Sequence, residues 1–192
     1  MRRQHLALTL ATLVCLGVLA GCSVTTHDKG DGKKNNDVDV RTPFGSLSVR
    51  EGQTEVKDTG LTPYPGAQPK KDSDEEHHSA NVNISSSLFG LKVVALKFES
   101  NDSPDKVLAF YRKDMGKFGK VIDCTGGFSM NFHRHDKDDE VSCGASDNGH
   151  EYKQELKVGT ENNQRIMAIK PAGSGSVFAL VYVRAWEGKD TM

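Results

Sequence analysis

The stretch DSPDKVLAFYRKDMGKFG, residues 102–119, carries the one strong helix pattern of the chain. Asp102-Ser103-Pro104 supplies a helix N-cap, with proline at the first helical position. Apolar side chains then recur at three- to four-residue spacing and predict one buried stripe: Val107, Leu108, Tyr111, Met115 and Phe118, widened by Phe110. Because glycine at 116 and 119 ends this pattern, we expect a single amphipathic helix that packs across a sheet.

Alternating patterns on both sides of the helix predict strands. Before it, residues 80–86 and 91–98 alternate, and Leu88-Phe89-Gly90 between them favours an antiparallel pair. After it, strands are predicted at 121–124, at 140–143, around Leu156 and Val158, at 166–169 and at 176–186. The last of these is apolar on both faces, which is typical of a central, covered strand. The order predicts an α+β fold, with a mainly antiparallel sheet and one principal helix on one face.

The N-terminus has the pattern of a targeting segment. Arg2 and Arg3 precede an apolar run over residues 6–19, which is shorter than the roughly 20 residues needed to span a membrane as a helix. A secretion signal therefore fits better than a transmembrane helix. Leu19-Ala20-Gly21-Cys22 resembles the lipobox of bacterial lipoproteins, with a plain signal peptide as the alternative.

The lipobox resemblance implies that residues 1–21 are removed and that Cys22 carries the lipid. It also implies an exported protein of the bacterial cell envelope, held at a membrane through that lipid anchor. Two anchoring signals hold a protein more firmly than one acyl chain. Ser23, the residue after the cysteine, favours the outer membrane as the destination.

The mature chain divides into two parts by composition. Residues 22–60 are expected to form a flexible tether, because 23–37 and 51–59 are polar. Within the tether, 38–41 and 47–50 alternate around Thr42-Pro43-Phe44-Gly45, which predicts a small hairpin near 38–50. Order is expected to begin at the rigid, proline-containing loop 61–67, so that residues 61–188 form the globular domain.

Cysteine usage predicts one disulfide. Of the four cysteines, Cys15 lies in the signal segment and Cys22 would be lipidated. Cys124 and Cys143 remain, in a protein expected to leave the reducing cytoplasm. A bridge between them would stabilise the fold by about 3 kcal/mol. Two free thiols are the alternative.

A second resemblance extends over residues 38–143. Tyr64-Pro65-Gly66-Ala67, then Asp102-Ser103-Pro104 and the sequence VLAFYR at 107–112 resemble uncharacterised envelope lipoproteins of acidobacterial type. Thr42-Pro43-Phe44-Gly45 is similar to a segment upstream in those proteins. The resemblance implies an α+β domain. It implies no activity, ligand or catalytic residue.

The remaining candidates are histidines. His133 and His135 lie beside acidic residues and could bind a divalent metal, with a solvated loop as the alternative. His77 and His78 have a similar acidic neighbourhood. The chain contains no Gly-x-Ser-x-Gly or His-Glu-x-x-His motif, so no catalytic, cofactor-binding or metal-binding residue is assigned.

Charge and motifs together limit the function. Loss of Arg2 and Arg3 with the signal lowers the net charge from −1 to −3, which gives no reason to expect nucleic acid as a partner. We expect a non-catalytic, lipid-anchored module that contacts an envelope protein or the cell wall. The alternative is a small-molecule or metal-binding protein that uses a pocket beside the helix or the loop of His133 and His135.

Overall fold

The computed structural model describes residues 23–27, 37–51, 54–70, 79–125, 139–144 and 152–187. Within them, ten strands form one antiparallel sheet. The strands are β1 (Ser23–His27), β2 (Asp37–Thr42), β3 (Gly45–Glu51), β4 (Gln68–Pro69), β5 (Ser79–Ser86), β6 (Phe89–Ser100), β7 (Ile122–Thr125), β8 (Gln154–Thr160), β9 (Asn163–Ala172) and β10 (Gly175–Glu187). The α-helix α1 spans Pro104–Met115, and 3-10 helices span Val56–Thr59 and Gly116–Phe118. The expected α+β class is confirmed at this coarse level, although the content is mainly β.

The sheet is organised around β10. The strand order is β1-β2-β3-β5-β6-β10-β9-β8-β7, and the short β4 also pairs with β6. Phe178 and Leu180 are buried on one face of β10, and Val181 and Val183 are buried on the other. The apolar pattern on both faces therefore marks the central strand, as predicted.

Helix α1 packs on the face of the sheet that contains Phe178. Its predicted stripe is confirmed, because Val107, Leu108, Tyr111 and Met115 are buried. They pack against side chains of β8, β9 and β10: Leu156, Val158, Met167, Ile169, Phe178 and Leu180. Each buried side chain of this size contributes about 1.5–3 kcal/mol, so this stripe accounts for much of the core.

The proline-containing loop is fixed by aromatic contacts. The ring of Tyr64 meets Phe110 edge-on at a centroid distance of 5.1 Å and lies 6.2 Å from the ring of Phe178. The Tyr64 hydroxyl donates a hydrogen bond of 2.9 Å to the Asp102 carboxylate, just before α1. Hydrogen bonds from Lys106 and then Tyr64 hold the pKa of Asp102 below its ordinary value.

The expected linker over 51–59 is wrong for the described part of that segment. Val56 and Thr59 are buried within the 3-10 helix, and Leu61 follows them into the core. The Arg165 Nε donates a hydrogen bond of 2.9 Å to the Thr59 carbonyl oxygen. A four-residue turn with one large apolar residue is too short to show a periodic pattern, so this packing could not be predicted from the sequence.

The N-terminal residues also differ from the expected tether over 22–60. The hairpin near 38–50 is present as β2 and β3, and it joins the sheet because β3 pairs with β5. Ser23–His27 forms β1, which pairs with β2. The sequence of β1 is too short and too polar to predict a strand. Pairing with β2 stabilises the strand, because its local propensity is low.

The strand predicted at 140–143 is not a strand. Glu140 forms an isolated bridge with Thr160, and the following residues run as a loop. Backbone hydrogen bonds from Val141 to Gly159 and from Glu161 to Asp139 hold this loop against the end of β8. The other predicted strands are present: β7 is shifted by one residue, and the rest are longer than predicted.

Candidate functional site

A polar groove crosses four strands on the face that also carries α1. Side chains at alternate positions of β2, β3, β5 and β6 line it and enclose about 370 Å³. We call this surface the basic groove, and its residues are Asp39, Arg41, Ser46, Ser48, Arg50, Asn81, Asn83 and Lys92. Period-two alternation explains the common face, since apolar residues of the same strands point to the opposite side.

Strand register arranges these side chains in rows. Asp39 pairs with Ser48, which pairs with Asn83, which pairs with Lys92. Since neighbouring strands lie about 4.8 Å apart, this row extends about 14 Å across the sheet. Arg41 and Arg50 lie on either side of it. The groove is therefore broad and shallow rather than an enclosed pocket.

The groove has an excess of positive charge. It contains the cations Arg41, Arg50 and Lys92 and the single anion Asp39. In the part of the chain that the structure describes, no ion pair or hydrogen bond occupies the charged ends of these three cations. Serine hydroxyls and asparagine amides between them add neutral donors. This set of donors suits a carboxylate or a phosphate.

The predicted disulfide is present, and it lies at the edge of the sheet opposite β1. Cys124 of β7 is bonded to Cys143, with Cα atoms 5.5 Å apart. Next to it, Glu155 and Lys157 form a salt bridge of 3.2 Å in which both side chains are only 1% exposed. The Lys157 ammonium also donates to the Ser142 carbonyl oxygen at 3.3 Å. The buried pair therefore holds the loop that contains Ser142 against β8.

The aromatic and basic residues of the sequence FYR at 110–112 are structural. Tyr111 is buried among aromatic rings, and burial raises the pKa of its hydroxyl well above the ordinary value. Arg112 forms an ion pair with Asp123 of β7. This agrees with the interpretation of Tyr111 as a core residue.

The other candidate residues lie outside the described residues. They are Cys22, His77, His78, His133 and His135, and their roles stay predictions. Within the described ranges, no group of three or more His, Cys, Asp or Glu side chains could hold a metal ion. Nor does any described helix have the length and apolar character needed to cross a membrane.

The alternating pattern of residues 38–50 places polar side chains on one face, which is a signal for the groove. Interpreting residues 22–60 as a tether does not use this signal. Asp39, Arg41, Ser46, Ser48 and Arg50 occupy the polar positions of the alternating pattern. A two-stranded hairpin alone gives no site, because such a hairpin is marginally stable in water. The site exists only because β3 pairs with β5, which brings Asn81, Asn83 and Lys92 alongside.

Comparison of the chain with family models, with curated proteins and with solved structures finds no match in any of the three.

Proposed function

We propose that this chain is an envelope lipoprotein, anchored through Cys22, whose domain binds an anionic ligand in the basic groove without catalysing a reaction. The single observation that carries the ligand class is the set of three cations, Arg41, Arg50 and Lys92, that lack an anionic partner among the described residues. Their potential attracts carboxylate or phosphate groups.

The shape of the groove favours an extended ligand. An open surface about 14 Å wide leaves a small molecule largely in water, whereas an acidic polymer can contact several rows at once. Arginine forms paired hydrogen bonds with carboxylate and phosphate groups, and lysine adds a point charge. Acidic glycans and phosphate-containing polymers of the cell envelope have this chemistry, so the cell-wall environment is the expected partner.

The binding test uses the detergent-solubilised mature protein with two probes, polygalacturonate and inorganic polyphosphate. Exposed ion pairs contribute about 0.2–1 kcal/mol each. Replacing Arg41, Arg50 and Lys92 together with alanine should therefore weaken binding by about 3- to 150-fold, as measured by isothermal titration calorimetry. The loss should shrink at high salt, because salt screens exposed charges.

The matched control removes three cations elsewhere. Lys113, Lys120 and Lys153 are exposed and lie outside the groove, so their triple alanine variant has the same net charge. This variant should retain most of the affinity. Equal losses in the two variants would show that net charge alone drives binding, and the groove assignment would be rejected. Asp39→Asn should strengthen binding, since it removes the only anion from the groove.

The anchor is tested separately by metabolic labelling with radioactive palmitate. The native chain should incorporate label, and Cys22→Ala should not. Cys15→Ala is the matched control, because this cysteine lies within the apolar run and should leave labelling unchanged. Label in the Cys22→Ala variant would overturn the lipid anchor and leave the groove proposal intact.

A further inference from the structure

The start of β1 lies at the same end of the sheet as two hairpin turns. Ser23 pairs with Arg41, which is just before the turn that joins β2 to β3. Gly45 pairs with Ser86, so the turn between β5 and β6 lies beside the first turn. We call this end the hairpin tip, formed by the β2–β3 turn, the β5–β6 turn and the start of β1. Cys22 directly precedes Ser23 in the sequence.

The exposed apolar side chains of the described residues are concentrated there. The large hydrophobic residues that face solvent are Phe44 (82% exposed), Leu88 (77%), Val24 (65%) and Phe89 (47%). Phe44 and Leu88 lie in the two turns, Phe89 begins β6, and Val24 is the second residue of β1. All four therefore belong to the hairpin tip. Large exposed apolar side chains gathered at one end of a sheet are candidates for an interaction site.

The charges behind the tip also suit an interface with lipid headgroups. Arg41 lies just before the β2–β3 turn. Lys92 pairs with Arg184, and Arg184 lies two residues before Trp186 in β10. The acidic residues in these rows are Glu187, opposite Phe89, and Asp39, in the row of Lys92. The Trp186 ring lies directly over Gly90, where an added Cβ would be 2.0 Å from it. Aromatic and basic residues behind an apolar edge are the arrangement found at membrane–water interfaces.

We propose that the hairpin tip inserts into the surface of the same bilayer that holds the lipid on Cys22. This inference rests on the proposed lipid anchor. The anchor lies one residue from β1, so the tip meets the bilayer at high effective concentration. The acyl chains and the apolar tip then act as two membrane signals instead of one. The domain stands end-on, with the β9–β10 turn about 40 Å from the membrane, the length of the 13-residue β10.

The test measures the depth of single tryptophans in the lipidated mature protein. Trp186 is the only tryptophan of the chain, so Trp186→Phe provides a silent background. In it, Phe44→Trp and Leu88→Trp report on the tip, and Ser174→Trp in the β9–β10 turn is the matched control at the far end. Each protein is reconstituted into phosphatidylethanolamine–phosphatidylglycerol vesicles with or without brominated acyl chains.

Bromine should quench at least half of the emission at positions 44 and 88 and leave position 174 unchanged. Equal quenching at both ends, or none at the tip, would overturn the inference. Phe44 and Leu88 are exposed, so these substitutions leave the core intact, and circular dichroism checks the fold. The mass of the N-terminal peptide is measured on the same samples. A lipidated Cys22 with an unquenched tip rejects the tip alone, whereas an unmodified Cys22 rejects the anchor.

Discussion

At the scale of single residues, Asp114 joins α1 to the loop between the 3-10 helix Val56–Thr59 and β4. Its Oδ2 accepts the Thr62 backbone N–H at 2.8 Å, and its Oδ1 accepts the Thr62 hydroxyl at 2.7 Å. The Lys117 ammonium donates to the same Oδ1 at 2.9 Å. Burial by itself would raise the pKa of Asp114, but these hydrogen bonds together hold it below the ordinary value. The carboxylate is therefore more stable in the folded than in the unfolded chain.

Asp114→Asn should destabilise the protein in a pH-dependent way. A pKa that is lowered on folding stabilises the protein above the unfolded pKa of about 4, and this stabilisation is lost as the pH falls through the folded value. We expect the variant to lose about 1–2 kcal/mol at pH 7 and to approach the native protein near pH 3. Urea unfolding, followed by Trp186 fluorescence, measures the free energy of unfolding of both proteins at pH 7 and at pH 3. Asp105→Asn, an exposed change on the same helix, should have a small effect, and an equal deficit at both pH values would contradict the mechanism.

The contact made by Asp114 was beyond prediction from the sequence. Its partner Thr62 is 52 residues away, and no local pattern relates the two positions. The same is true of Glu155 and Lys157, whose alternation in β8 is typical of an exposed face although both are buried. By contrast, the pairing of Cys124 with Cys143 could be predicted, because elimination leaves only these two cysteines.

At the scale of elements, prediction succeeded where a pattern was long. Helix α1 and strand β10 have enough turns or alternations for a clear period, and both lie where expected. Gly90 shows the opposite case. The sequence Leu88-Phe89-Gly90 predicts a connection, yet Gly90 lies within β6. The Trp186 ring occupies the space that a Cβ would need there. Glycine there permits close packing and does not mark a turn.

Short elements were missed for a related reason. The two-residue β4 forms because it meets β6, and the 3-10 helix Val56–Thr59 forms because the core accepts Val56. Each gains its stability from tertiary contacts and has little of its own. The alternation of Val141 with polar neighbours predicts a strand at 140–143, but the structure has only one isolated bridge there, between Glu140 and Thr160.

At the scale of the whole molecule, strand register creates both proposed surfaces. The basic groove needs β3 beside β5, and the hairpin tip needs β1 beside β2. The sequence alone predicted the class of fold, with a mainly antiparallel sheet and one helix. It could not predict the surfaces, because alternation specifies which residues share a face of one strand and not which strands are neighbours.

The position of Cys22 relative to β1 leads to a final prediction about the whole molecule. If adjacency to the anchor places the hairpin tip in the membrane, distance between them should weaken the contact. A Gly/Ser spacer of about 20 residues has an average end-to-end distance of about 25 Å, which lowers the effective concentration of the tip at the bilayer. The spacer goes between Cys22 and Ser23 and begins with serine, so that the residue after the cysteine is unchanged. Bromine quenching at Phe44→Trp should then fall by at least half while palmitate labelling persists.

The same spacer after His27, at the end of β1, keeps the anchor beside the tip and should leave quenching unchanged. Equal quenching with both spacers would show that the tip contacts the membrane independently of the anchor, because only the first spacer alters the distance between Cys22 and the sheet.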